Sequence, residues 1–272
     1  MSFMGRRSST MPTKAGKPPP DGRFVEADMR KPKMILFDYG HTLALEPEQD
    51  YLRGHRRVIE LAAENPLGIT PEELHGYSQK LYSELFAQLR PLDLETDGLK
   101  LDACIYDTLR LKFDRPLEEI ELERWRATEP IFPMEGVENF LELCAERGVR
   151  MAVISNLSFS GDALVKRIGE ILPEHIGLFE FILASSESVY RKPSRHIFER
   201  ALSLAGLEAG ECWFTGDDVV CDIEGAAGAG IFPVWFRAPI RCTYKKPADH
   251  EPQCEHLTVS SWAEFGDLLR AL

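Results

Sequence analysis

Three clusters of carboxylates and hydroxyls stand in this sequence where short apolar runs end. Met34-Ile35-Leu36-Phe37 runs into Asp38, with Gly40, His41 and Thr42 close behind. Met151-Ala152-Val153-Ile154 runs into Ser155-Asn156, and Cys212-Trp213-Phe214-Thr215 into Gly216-Asp217-Asp218 and then Asp222. An apolar run of this length that stops at a polar turn reads as a buried strand. In open α/β sheets, ligands bind beyond the carboxyl ends of the strands, so neighbouring strands would bring the three clusters together. Carboxylate oxygens gathered in this way suit a hard cation; Mg²⁺ takes one or two carboxylates, several waters and a substrate phosphate. A carboxylate is also a competent nucleophile, able to form an aspartyl-phosphate. Asp38 is the candidate, because the turn expected soon after it leaves its side chain at the strand tip. One aspartate after a strand ordinarily caps a turn. Clusters at three separate strand ends make a shared site the better reading.

The periodicity predicts the elements that must hold these clusters. From Glu48 to about Glu123 the pattern is helical, with Tyr51, Leu52, Val58, Ile59, Leu61 and Ala62 recurring mostly at three- and four-residue steps. Pro71 starts another helix, with Thr70 as N-cap, Glu73 at the capping-box position and an apolar face of Leu74, Tyr77, Leu81, Leu85 and Phe86. No strand-like run interrupts this segment. After Pro130 and Pro133 the chain alternates: helix 137–145, strand 151–154, helix 163–171, strand 179–183, helix 194–205, strand 212–215, a small-residue helix through Gly225-Ala226-Ala227, strands 231–236 and 257–259, and helix 262–269. Such alternation predicts an α/β protein with a parallel sheet and helices on both faces. The expected organisation is a core of residues 34–45 and 134–272, a helical insert over 46–133, and a disordered tail over 1–33. The stretch from Met1 to Pro20 has no acidic residue, lacks the apolar core of a secretory signal and ends in three prolines.

The balance of 32 Lys and Arg against 44 Asp and Glu, a net charge of −12, argues against nucleic acid as a partner. A small anionic substrate remains compatible, since one metal or lysine inverts the sign locally. No apolar run reaches the ~18 residues of a membrane helix. The six cysteines are scattered without a C-x-x-C pair, as free thiols of a cytoplasmic protein would be. Cys242, His250, Cys254 and His256 share one late segment, but their spacing matches no common zinc pattern.

The sequence resembles the haloacid dehalogenase-like hydrolase superfamily through four motifs in order. Ile35-Leu36-Phe37-Asp38-Tyr39-Gly40-His41-Thr42-Leu43 is similar to the first, whose aspartate is the nucleophile. Val153-Ile154-Ser155-Asn156 resembles the second, whose hydroxyl binds the transferred group. Arg191-Lys192-Pro193, followed by His196-Ile197-Phe198, resembles the third, whose lysine neutralises charge around the nucleophile. The run from Gly216-Asp217-Asp218 to Asp222-Ile223-Glu224-Gly225-Ala226 resembles the fourth, whose acidic residues hold Mg²⁺. The resemblance covers residues 34 to about 236. It implies a Rossmann-like three-layer core with a parallel sheet and an inserted α-helical cap of the first type. It also implies a Mg²⁺-dependent phosphatase of a small phosphorylated metabolite. Asp38 would be the nucleophile, with Ser155 and Lys192 on the phosphoryl group and Thr42 and Asn156 joining in substrate binding. Asp38, the Gly40 carbonyl and Asp217 would hold the metal, with Asp222 a further ligand or a support for one.

Gly40 departs from the family's phosphatases, which carry there a second aspartate as general acid and base. Glycine keeps the carbonyl but removes a proton donor typically worth ~10²–10⁴-fold. His41, adjacent and titrating near neutrality, is a tentative substitute. Gly40 is also a position where positive φ would exclude other residues. The departure keeps two alternatives open: a non-catalytic or regulatory module on a degenerate fold, and a dehalogenase-type hydrolase. The dehalogenases of the family carry a tyrosine where Gly40 stands and lack the Asp217-Asp218 pair. A phosphonate-cleaving relative would need a lysine from the insert, which holds only Lys80, Lys100 and Lys112. Arg53, His55, Arg56 and Arg57 read as a solvated helix face from which one arginine could reach the substrate.

Overall fold

The computed structural model describes residues 30–239, 242–244 and 250–272. The tail expected over 1–33 falls outside these residues except for its last four. The chain runs β1 (Met34–Phe37), β2 (Ala44–Leu45), α1 (Tyr51–Leu61), α2 (Pro71–Leu89), α3 (Gly98–Thr108), α4 (Leu117–Thr128), β3 (Phe132–Pro133), α5 (Val137–Glu146), β4 (Arg150–Ser155), α6 (Gly161–Ile171), β5 (Phe179–Ala184), α7 (Arg195–Ala205), β6 (Cys212–Gly216), α8 (Gly225–Gly228), β7 (Phe232–Phe236), β8 (Leu257–Val259) and α9 (Trp262–Ala271). Six strands form one sheet in the order β5-β4-β1-β6-β7-β8, with every pairing parallel. The inner strands β1, β4, β6 and β7 are almost wholly buried, which explains their near-continuous apolar runs, whereas the edge strands β5 and β8 expose Glu180 and Thr258.

Side chains alternate between the faces. Ile35, Phe37, Val153, Trp213 and Val234 pack with Phe140, Trp262 and Phe265 of α5 and α9. Met34, Leu36, Ala152, Ile154 and Phe214 pack with Ile197, Phe198, Ala201 and Ala226 of α7 and α8.

Between β2 and β3 the four helices α1–α4 gather around their own cluster of Val58, Leu74, Ile105, Tyr106, Leu111 and Ile120. The capping box of α2 forms as expected, Thr70 Oγ1 accepting from the Glu73 N–H at 3.2 Å and Glu73 Oε2 from the Thr70 N–H at 2.9 Å. Tyr77, expected on the apolar face of α2, is 41% exposed, because the insert core takes Leu74 and turns Tyr77 outward. The two short strands at the root, β2 and β3, pair antiparallel and were not legible as strands, each being two residues long. Among the described residues no helix is long and apolar enough to cross a membrane.

Candidate active site

β1 lies between β4 and β6, and its last residue, Phe37, stands level with Val153 and Thr215. Asp38, Ser155 and Asp217 therefore leave the sheet at one edge. The Asp38 N–H donates to the Thr215 carbonyl at 2.9 Å, which fixes the strand tip.

Lys192, only 1% exposed, reaches into this edge from the loop before α7. Its Nζ donates to Asp38 Oδ1 at 2.6 Å and to the Ile154 carbonyl at 2.9 Å, lies 2.7 Å from Asp222 Oδ1, and stands 4.9 Å from the centre of the Phe214 ring. Burial by itself would push the ammonium toward its neutral form. The Asp222 and Asp38 carboxylates outweigh it, so the lysine pKa is raised and the charge kept. Burial pushes Asp222 up to about 6, with Lys192 opposing and Asp38 adding to the rise. Asn156, expected on the substrate, lines the cavity and also clamps the lysine's backbone. Its Nδ2 donates to the Lys192 carbonyl and its Oδ1 accepts from the Lys192 N–H, both at 2.8 Å.

Asp38, Asp217 and Asp222 each offer a ligand oxygen, and these atoms lie within 4.8 Å of one another. Two oxygens on one Mg²⁺ at ~2.1 Å stand up to about 4.2 Å apart, so a small contraction would seat such an ion among them. Asp222 sits this close because residue 216 is glycine: a Cβ there would fall 2.3 Å from Asp222 Oδ2. Asp222 Oδ2 accepts from the Asp218 N–H at 3.0 Å. The Asp218 carboxylate is spent as a cap on the N–H groups of Val220 and Cys221, at the start of a π-helical turn over Val219–Glu224. Such turns often accompany functional sites.

After Asp38 the chain wraps tightly, with the Tyr39 carbonyl accepting from the N–H groups of Leu43 and Ala44 at 2.9 Å. The left-handed residue of this turn is His41, at φ 57°, and not Gly40. Gly40 lies against Glu46: a Cβ there would stand 2.7 Å from Glu46 Oε2, so a side chain at this position would push that carboxylate aside. His41 Nε2 is 2.9 Å from the Tyr244 hydroxyl, which also donates to Glu46 Oε2 at 3.1 Å. Burial, and then the charge of nearby Glu129, holds the Glu46 carboxyl well above the usual carboxylate range. Thr42, expected to join substrate binding, is fully buried and takes no part in the cavity wall.

A cavity of about 650 Å³ opens between this edge and the insert. Its core side carries Asp38, Ser155, Lys192 and Asp217, and its insert side His55, Tyr82, Arg90 and Arg124. His55 is pushed down to about 3, first by burial and then by the Arg124 charge, and so is neutral near pH 7. Of the four residues read as a solvated helix face, His55 is instead buried and lines the cavity, while no α1 arginine reaches it. Arg53 and Arg57 pair with Glu48 and Glu123, and Arg56 is exposed. Cys242, His250, Cys254 and His256 form no metal group among the described residues: His250 faces Glu224 and Cys254 Sγ faces the Ile223 carbonyl. Among the cavity-lining residues that the sequence reading did not single out are Glu46, beside Gly40, and Arg90.

Known proteins share this fold. Residues 32–230 match the family described as haloacid dehalogenase-like hydrolase. The chain is 30% identical over 249 residues to ribulose-1,5-bisphosphate 5-phosphatase of Halopiger xanaduensis, a match covering 86% of this chain and 98% of that one. It is 36% identical over 98 residues to haloacid dehalogenase-like hydrolase domain-containing protein 3 of Homo sapiens, a match spanning only 36% of this chain and 37% of that relative. Among solved structures, the fold is similar to 2-haloacid dehalogenase of Pseudomonas syringae, with a TM-score of 0.57, 18% identity, and 88% and 99% of the two chains covered. With most of its length matched to the family, the chain belongs to the haloacid dehalogenase-like hydrolases.

Proposed function

We propose that this protein is a Mg²⁺-dependent phosphatase of small phosphorylated metabolites that works through an aspartyl-phosphate on Asp38. The observation that carries the reading is the gathering of Asp38, Asp217 and Asp222 within 4.8 Å of one another around the buried ammonium of Lys192. The near full-length similarity to a sugar bisphosphate phosphatase of Halopiger xanaduensis supports it. Asp38, the Gly40 carbonyl and Asp217 would hold the metal, with Asp222 as a ligand or a support. When bound, the metal neutralises charge on the carboxylates and on the phosphoryl oxygens.

The chain's own residues do the rest. The Asp38 carboxylate attacks phosphorus and the ester P–O bond breaks; water then attacks the aspartyl-phosphate, releasing inorganic phosphate and restoring Asp38. Lys192, kept cationic, and the Ser155 hydroxyl hold the phosphoryl oxygens, and Asn156 holds Lys192. Arg90 and Arg191 both face the cavity, and burial followed by the Arg191 charge lowers the Arg90 pKa. An anionic substrate relieves that repulsion. A carbon–halogen hydrolase has no use for three converging carboxylates. A phosphonate-cleaving site needs a lysine from the insert, whereas Lys80, Lys100 and Lys112 are exposed and none lines the cavity. Six free thiols fit a cytoplasmic setting.

The test is hydrolysis of 4-nitrophenyl phosphate with Mg²⁺ and with chelator, in wild type and in Asp38→Asn. Turnover that needs both Mg²⁺ and Asp38 supports the reading. Folded protein that binds Mg²⁺ without turnover makes it a non-catalytic module, and metal-independent halide release makes it a dehalogenase.

A further inference from the structure

Gly40 leaves the departing alcohol without a proton donor on its own motif, and the structure supplies a carboxylate in that place. A Cβ on residue 40 would stand 2.7 Å from Glu46 Oε2 and 3.3 Å from Glu46 Cδ. That is too close for an aspartate side chain at position 40 to fit without displacing Glu46, so a Glu46 carboxylate oxygen stands in the space beside residue 40. Glu46 follows β2 at the root of the insert and is buried, yet lines the same cavity as Asp38. The Tyr244 hydroxyl holds Oε2 at 3.1 Å. Glu129, just before β3, is itself pinned by Trp125 Nε1 at 2.7 Å and Gln49 Nε2 at 2.8 Å. His41, the neighbour of Gly40, is turned to the Tyr244 hydroxyl.

We propose that Glu46 is the general acid and base of this site, replacing the side chain that Gly40 lacks. The assignment rests on the phosphatase reading. In the first step the Glu46 carboxyl gives its proton to the ester oxygen as the P–O bond breaks and Asp38 becomes phosphorylated. In the second, the Glu46 carboxylate takes a proton from the water whose oxygen attacks phosphorus. Asp38 is freed, inorganic phosphate leaves, and Glu46 is again protonated, so protons balance over one turnover.

The experiment compares Glu46→Gln with wild type on β-glycerophosphate and on 4-nitrophenyl phosphate, with Mg²⁺ present. An alkoxide needs a proton to leave and nitrophenolate does not. The expected result is a loss of ~10²–10⁴-fold on the alkyl ester and a smaller loss on the aryl ester. With the aryl ester, a nitrophenolate burst should also appear as the phosphorylated enzyme accumulates. Moving the carboxylate back, in the double variant Glu46→Gly with Gly40→Asp, should recover at least about tenfold of the alkyl-ester loss. Alkyl-ester turnover of Glu46→Gln within about threefold of wild type overturns the assignment, since an acid–base group is worth far more. Equal losses on both esters without a burst also overturn it, because they mark a structural role. A wild type inactive on both esters removes the phosphatase reading and this assignment together.

Discussion

Arg124 in the insert and Lys192 in the core are both cations buried against carboxylates, yet the two surroundings are built to different ends. Arg124 Nη2 meets Asp102 Oδ2 at 2.6 Å, one charge to one charge, with the Tyr82 hydroxyl donating to Asp102 Oδ1 at 3.0 Å. This pair is balanced, and its side chains are 7% and 4% exposed. Around Lys192 one ammonium stands among three carboxylates, two of them in direct contact. The excess of negative charge suits a divalent cation and an anionic ester bound together. Balanced burial marks a structural pair, and unbalanced burial marks a site that is completed by what it binds.

The comparison can be broken most sharply at Asp38. Asp38→Asn is expected to abolish phosphate ester hydrolysis, a loss beyond the ~10⁴-fold of an acid–base group, with the fold retained by circular dichroism. The amide cannot attack phosphorus. In the insert the largest effect should fall on stability instead. Asp102→Ala leaves a buried guanidinium without its carboxylate and should cost about 3–5 kcal/mol in urea unfolding, while Asp102→Leu with Arg124→Met recovers most of that loss. If both sites lost activity and stability in equal measure, the distinction between them would fail.

Metal removal sharpens it further. Mg²⁺ at a hundredfold excess over its Kd should stabilise wild type by about 2.7 kcal/mol over chelator, read as a shift in the thermal midpoint. Asp217→Asn should lose most of that shift, and Asp102→Ala should keep it. The smallest effect is expected at Asn156. Asn156→Ala removes the two hydrogen bonds to the Lys192 backbone and should cost about 1–2 kcal/mol in urea unfolding. Turnover should drop with it as Lys192 loosens, and an unchanged rate would show that the lysine is placed without the clamp.

Much of this was legible before any coordinates, because strands buried on both faces write themselves as apolar runs and end at polar turns. Asp38, Ser155 and the 216–222 cluster could be placed at strand ends from sequence alone. The pairing of β1 with both β4 and β6 brings them together. What sequence spacing could not carry was packing across the chain. The grip of Asn156 on the Lys192 backbone is one such contact. Gly216 and Gly40 look like turn glycines until Asp222 and Glu46 are found where their side chains would be. The order and type of the core elements were set by local patterning, a property of neighbouring residues. The company kept by Gly40, with Glu46 folded back onto it and Tyr244 brought in from some two hundred residues away, was decided only by the tertiary structure, because side-chain approach leaves no periodic trace in a sequence.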